Sequence, residues 1–189
     1  MDVMRLLIAN KADVNTGDRQ WQTALHGAAG SGRVAAVRLL LENGADIDTR
    51  SWDDATPLLA TAKAGYADVA RLLLGHGADP NACGKDGKTA LRHACEAGYT
   101  EMVTILLAEG RTDINARSKF GTPLEAASRP VDEEDKRRFL FNFSGLKRTK
   151  AKRPADRKAV VKLLLERRAI QWQQRDRKAL CLTEVQRPS

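Results

Sequence analysis

The stretch TALHGAAGSGRVAAVRLLLENGADIDTR, residues 23–50, is written twice more along the chain. It returns as TPLLATAKAGYADVARLLLGHGADPNAC at 56–83 and as TALRHACEAGYTEMVTILLAEGRTDINAR at 89–117. Thr23, Thr56 and Thr89 stand 33 residues apart, as do Gly32, Gly65 and Gly98 and also Gly44, Gly77 and Gly110; Thr122 extends the first series. A fixed period between roughly 20 and 50 residues marks a repeat solenoid, in which each unit buries its apolar face only against its neighbours. Such a stack offers a long face rather than a deep chemical centre.

Each unit has a physical reading. The threonines precede short apolar-periodic runs and are expected to be N-caps, their hydroxyls accepting from an early helix N–H. Pro57 and Pro123 follow at the first helical position, where a missing N–H is harmless. Small residues (Ala28 and Ala29, Thr61 and Ala62, Ala94 and Cys95) let neighbouring first helices approach closely. Gly32, Gly65 and Gly98 are placed to end that helix in the left-handed region. A second helix follows with a Val/Leu-rich face, closed by Gly44 and Gly77 before an Ala-Asp turn.

The 33-residue step, the T-x-L-H start and the LLLENGADI and LLLGHGADP endings resemble ankyrin repeats. The match runs over about residues 1–128 and returns at about 159–170. The resemblance implies an all-α fold, an ankyrin-repeat α-solenoid of stacked helix-turn-helix units joined by β-hairpin-like loops. It also implies a concave face, made by the hairpin tips and the exposed side of the first helices, that holds other proteins. The tip positions are then Arg19, Gln20 and Trp21; Trp52, Asp53 and Asp54; Lys85, Asp86 and Lys88; Ser118, Lys119 and Phe120. The first-helix positions are Ser31, Lys63, Glu96 and Arg129. Trp21, Trp52 and Phe120 recur near successive tips, where they serve either as anchors for a partner or as hairpin-to-hairpin packing. The histidine of T-x-L-H occurs only as His26; Leu59, Arg92 and Glu125 replace it, so a histidine bridge between units is expected once.

The period divides the chain into a partial repeat at 1–16, which supplies only a second helix, and repeats at 17–49, 50–82 and 83–116. A fourth repeat is expected over 117–170, interrupted at about 130–158, followed by a tail at 171–189 that could cap the stack. Opening in mid-unit leads to the expectation of a fragment of a longer array. The third unit carries one extra residue near Gly110–Asp113, and the following hairpin is one shorter.

The net charge of +8 divides unevenly. Up to Ser128 there are 14 Lys and Arg against 16 Asp and Glu; from Arg129 onward, 18 against 8. The inserted segment holds Phe139, Phe141 and Phe143, which either pin it to the stack or form an aromatic patch. Its basic run, Lys147, Arg148, Lys150, Lys152 and Arg153, fits a solvated loop, an import or partner signal, or phosphate contact. No stacking pattern or nucleic-acid fold accompanies that run, which argues against nucleic acid as the partner.

No apolar stretch is long enough for a membrane span and the first residues are no signal peptide, so no membrane partner is expected. Three scattered cysteines fit a reducing compartment, hence an intracellular, cytoplasmic protein with the nucleus as alternative. Cys95 sits at a packing position. His26, His76, His93 and the cysteines lack metal-ligand spacing, and no phosphate loop or nucleophile motif occurs, so no catalytic residue, metal or cofactor is expected. The expected function is non-catalytic protein–protein interaction, by a chain that is monomeric or part of a longer one. The alternatives are a structural or sensor arm of a larger multidomain protein, or a nuclear factor using the basic insertion.

Overall fold

The computed structural model describes residues 2–129 and 157–168. Phe139, Phe141, Phe143, the basic run at 147–153 and the tail at 171–189 lie outside the described residues.

Two rows of short helices make the fold. First helices are α2 (Ala24–Gly30), α4 (Pro57–Ala64), α6 (Ala90–Ala97) and α8 (Pro123–Ser128). Second helices are α1 (Asp2–Ala9), α3 (Val34–Glu42), α5 (Ala67–Gly75) and α7 (Thr100–Ala108). A further helix, α9, spans 157–168. Each first helix packs on the next, α2 on α4, α4 on α6 and α6 on α8, while α3 packs on α5 and α5 on α7. Helices α1 to α8, of six to nine residues, are below the length at which an isolated helix holds in water, so stacking supplies their stability. The core is one continuous cluster running from Leu25 and Val37 through Leu58, Leu73, Leu91 and Leu106 to Val160 and Leu164.

The caps follow the repeated residues. Thr56, Thr89 and Thr122 accept from the N–H groups of Leu59, Arg92 and Glu125 at 3.3, 3.4 and 3.3 Å. Thr23 departs from the expectation, because His26 Nδ1 takes both the Thr23 N–H (3.2 Å) and its hydroxyl (3.0 Å). Gly65 shows why glycine recurs where the first helix ends. Its φ is +81°, and an added Cβ would lie 2.8 Å from the Tyr99 ring of the next unit. Gly32 stands in the same relation to Tyr66.

Three kinds of polar bridge tie successive units. With Nδ1 accepting from Thr23, the His26 proton sits on Nε2, which donates to the Ala55 carbonyl at 2.9 Å. The expectation that such a bridge is made only once is corrected at Arg92, which stands in the same repeat position as His26. Its Nε donates to Ser118 Oγ at 2.9 Å and its Nη2 to the Phe120 carbonyl at 2.7 Å. A longer side chain replaces the imidazole and still reaches the next hairpin. The third bridge is an amide ladder. Asn15 accepts from the Asp46 N–H (2.8 Å) and donates to the Gly44 carbonyl (3.1 Å). Asn81 does the same with the Asp113 N–H (2.7 Å) and the Arg111 carbonyl (2.8 Å). Asp48, between them in phase, accepts from the Asp79 N–H at 3.2 Å but has no N–H to donate onward. Asp48→Asn should therefore restore the missing donor and stabilise the stack by about 0.5–1.5 kcal/mol, read as a higher urea midpoint with unchanged slope.

At the ends, Val3, Leu6 and Leu7 of α1 are exposed. At the other end α9 docks through Val160 and Leu164, both fully buried. Arg157 donates to the Arg129 carbonyl at 3.0 Å and to the Glu96 carbonyl, and Arg167 donates to the Leu107 carbonyl at 2.6 Å. Glu96 and Leu107 lie in the last turns of α6 and α7, where carbonyls lack helical partners, so α9 supplies the missing donors.

Candidate interaction surface

The hairpin tips project from the N-terminal ends of the first helices. Gly17 bridges Thr23 and Cys83 bridges Thr89, each as an isolated antiparallel pair, whereas the shorter fourth hairpin bridges Ser118 with Gly121. Successive tips join through the backbone: the Trp52 N–H donates to the Gln20 carbonyl at 2.9 Å, and the Lys85 N–H to the Asp53 carbonyl at 3.0 Å. The tip residues thus form one line across the repeats.

The aromatic side chains are not used to make that line. Trp21 is 72% exposed, Trp52 57% and Phe120 47%. Trp21 is also held at φ +59°, in the position that Asp54 (φ +57°) and Gly87 (φ +74°) take in the following units. A non-glycine residue there costs on the order of 1 kcal/mol or more. Lys85 Nζ lies 5.2 Å from the centre of the Trp52 ring. Around Phe120 gather Lys88 Nζ at 4.6 Å, Lys119 Nζ at 5.1 Å and the Arg92 guanidinium at 6.0 Å.

Behind the tips, the exposed side of the first helices is thin over α2. Gly27 is exposed with no atom near its missing Cβ, and Gly30 meets only the Ala60 methyl. The residue in phase with Lys63, Glu96 and Arg129 is Gly30 rather than Ser31, which is half-buried one place further on. Lys63 is exposed and lies 3.7 Å from the Asp53 carboxylate. Burial alone would raise the Asp53 carboxyl, but the Ser51 hydroxyl and Lys63 outweigh it and hold it below its usual value. Glu96 accepts from Lys88 at 3.1 Å and lies 3.7 Å from Arg92 Nη1. There too burial is outweighed, by Lys88 first and then Arg92, so the carboxyl sits low and stays ionised. Asp54 is half-buried, and Lys119 and Arg129 are exposed. The surface therefore joins Trp21, Trp52, Asp53, Asp54, Lys63, Lys85, Lys88, Glu96, Lys119 and Phe120 through contacts or register.

His93 lies on this side of α6, half-buried, with a pKa lowered to about 4 by burial first and then by Lys63 and Lys88. The imidazole is neutral in the folded chain at neutral pH. In the unfolded chain it takes a proton near its ordinary value of 6.5, so the unfolded state binds more protons as the pH falls below that. Its contribution is present above about pH 6.5 and is lost progressively toward pH 4. His93→Gln should flatten stability against pH over that window; an unchanged slope in urea titrations would refute the assignment. Cys95, fully buried, has its thiol pushed up to about 12 by burial and is chemically inert, whereas Cys83 is exposed.

Among the described residues no cluster of three His, Cys, Asp or Glu could hold a metal ion. None of the described helices is long and apolar enough to cross a membrane.

A family model for ankyrin repeats (three copies) matches residues 1–51 and 48–118. The chain belongs to the ankyrin-repeat family. Its helices, N-cap threonines and left-handed glycines are the all-α repeat solenoid of that family. No curated protein matches the chain. Ankyrin repeats generally mediate protein–protein interaction and are typically non-catalytic.

Proposed function

We propose that this ankyrin stack is a non-catalytic module that holds a partner protein along its hairpin tips and the exposed side of its first helices, the concave face of the family. The observation that carries the reading is the tip line itself. It offers exposed aromatics on three of the four hairpin tips, and one of them, Trp21, occupies the left-handed turn position that Asp54 and Gly87 fill in the next units. Large, rigid aromatic side chains bury much area at little entropic cost and dominate binding energy in interfaces. The stack beneath them fixes their spacing, so the partner meets a preorganised row.

In the same reading 117–170 is one repeat: α8 is its first helix, α9 its second, and the inserted segment, expected at 130–158, separates them with its last two residues inside α9. The burial of Val160 and Leu164 in the common core and the contacts of Arg157 and Arg167 to the ends of α6 and α7 support it. The sensor-arm reading and, through the basic run at 147–153, the nuclear reading stand as alternatives, and no contact among the described residues favours either. Intracellular location and a monomeric state are parts of the same proposal.

Trp21→Ala with Trp52→Ala tests the reading. Because both indoles are exposed, the double variant should keep the circular dichroism and melting of the parent while losing most of its partner capture from native extract. Capture at the parent level would refute the tip line as the binding face. A drop in melting temperature of several degrees would show that the indoles serve packing instead.

A further inference from the structure

Resting on that reading, the chemistry of the tips narrows the kind of protein segment they take. Of the four tip carboxylates, Asp18, Asp53 and Asp86 are turned to local work. Asp18 accepts from the N–H groups of Gln20 and Gln22 at 2.8 and 2.9 Å. Asp53 accepts from the Ser51 hydroxyl at 2.5 Å and faces Lys63. Asp86 accepts from the Lys88 N–H at 3.0 Å. The cations are deployed differently. Arg19, Lys85 and Lys119 are exposed and, among the described residues, make no ion pair; Lys85 and Lys119 instead lie against the faces of Trp52 and Phe120. An ammonium group on a ring face keeps its outward N–H donors available and stiffens the side chain that carries it.

We infer that the tip line docks an extended acidic peptide segment bearing aromatic or large apolar side chains, its carboxylates meeting Arg19, Lys85 and Lys119 and an apolar side chain meeting Trp21. Carboxylates would complete the charge of cations that the described residues leave outward, and the indole of Trp21, over which no cation lies among the described residues, is the open apolar contact. A nucleic acid fits the same row less well. Its phosphates repeat without interruption, and Asp18, Asp53, Asp54 and Asp86 punctuate the line with like charge. An acidic peptide can place its charges between them.

The probe is a labelled random copolymer of glutamate and tyrosine, titrated against the full chain by anisotropy and by tryptophan emission. Labelled polyglutamate, a lysine–tyrosine copolymer and oligothymidylate serve as comparisons. The glutamate–tyrosine copolymer should bind tightest, quench tryptophan emission and weaken with salt. Lys85→Glu with Lys119→Glu should weaken it about tenfold without changing the melting temperature, since exposed charges contribute little to stability. Trp21→Ala should weaken the same copolymer and leave polyglutamate unaffected. Equal binding by the charge-reversed variant, or tighter binding of oligothymidylate or the lysine–tyrosine copolymer, would overturn the inference. Failure of the inference is separable from failure of the interaction reading. A partner captured by the charge-reversed variant but lost by the Trp21→Ala, Trp52→Ala variant would leave the tips as a protein-binding face and exclude only the acidic segment.

Discussion

Replacing Arg92 with alanine should lower folding stability by about 3 kcal/mol, within the range for breaking a buried charged network. Arg92 is 1% exposed and its guanidinium crosses from α6 to the next hairpin. Alanine would strip Ser118 Oγ and the Phe120 carbonyl of their donors and leave a cavity between the third and fourth units. Two features hold the cost at the lower end. Glu96 keeps Lys88 when Arg92 is lost, and Arg92 Nη1 makes no hydrogen bond among the described residues, so the network is incomplete from the start. Arg92→Met would refill most of the volume with an apolar chain and should cost less than the alanine change. Urea unfolding of both variants checks this order. An alanine variant within about 0.5 kcal/mol of the parent would contradict the bridge.

The second large effect comes from one chemical change made at two places. Leu73 in α5 and Leu164 in α9 are both fully buried. Leucine to alanine in a core costs about 2.7–5 kcal/mol, and more where the surroundings cannot collapse. Leu73 has neighbours on both sides of the stack, so its loss should appear in full in the main unfolding transition. In a quasi-one-dimensional stack each unit is held by its own energy and its nearest interfaces. A terminal helix made too weak can therefore detach, and the remainder loses only that interface. Leu164→Ala should shift the main transition less than Leu73→Ala and remove hydrogen-exchange protection chiefly from 157–168. Equal shifts would mean that α9 is bound into the whole stack rather than added at its end.

The contrast between what could be read in the sequence and what could not has a physical basis. Thr56, Thr89 and Thr122, with Gly32, Gly65 and Gly98, are local demands of the backbone, a cap or a positive φ, and a local demand repeats with the unit. The period alone therefore located the helices. The bridge made by Arg92 was not legible because its partners stand 26 and 28 residues further on. The legible signal was its phase with His26, which asks for a donor that reaches the next hairpin. Thr23 differs for a local reason: the His26 ring, three residues on, engages its hydroxyl. Ser31 was one residue out of phase, a slip that the spacing from Lys63 could have caught. Tip aromatics were ambiguous because tryptophan belongs equally to a core and to an interface. The exposure of Trp21, Trp52 and Phe120 supports the contact reading proposed above, which composition alone did not favour.

Hydroxyl-radical footprinting of the partner-bound and free chain tests the central claim most directly, because indole and phenyl rings oxidise according to their exposure. If the tips hold the partner, Trp21, Trp52 and Phe120 should be protected together on binding, while exposed residues of the second helices such as Leu165 keep their free-state reactivity. Protection confined to the second helices, with the three tip aromatics as reactive as before, would contradict it.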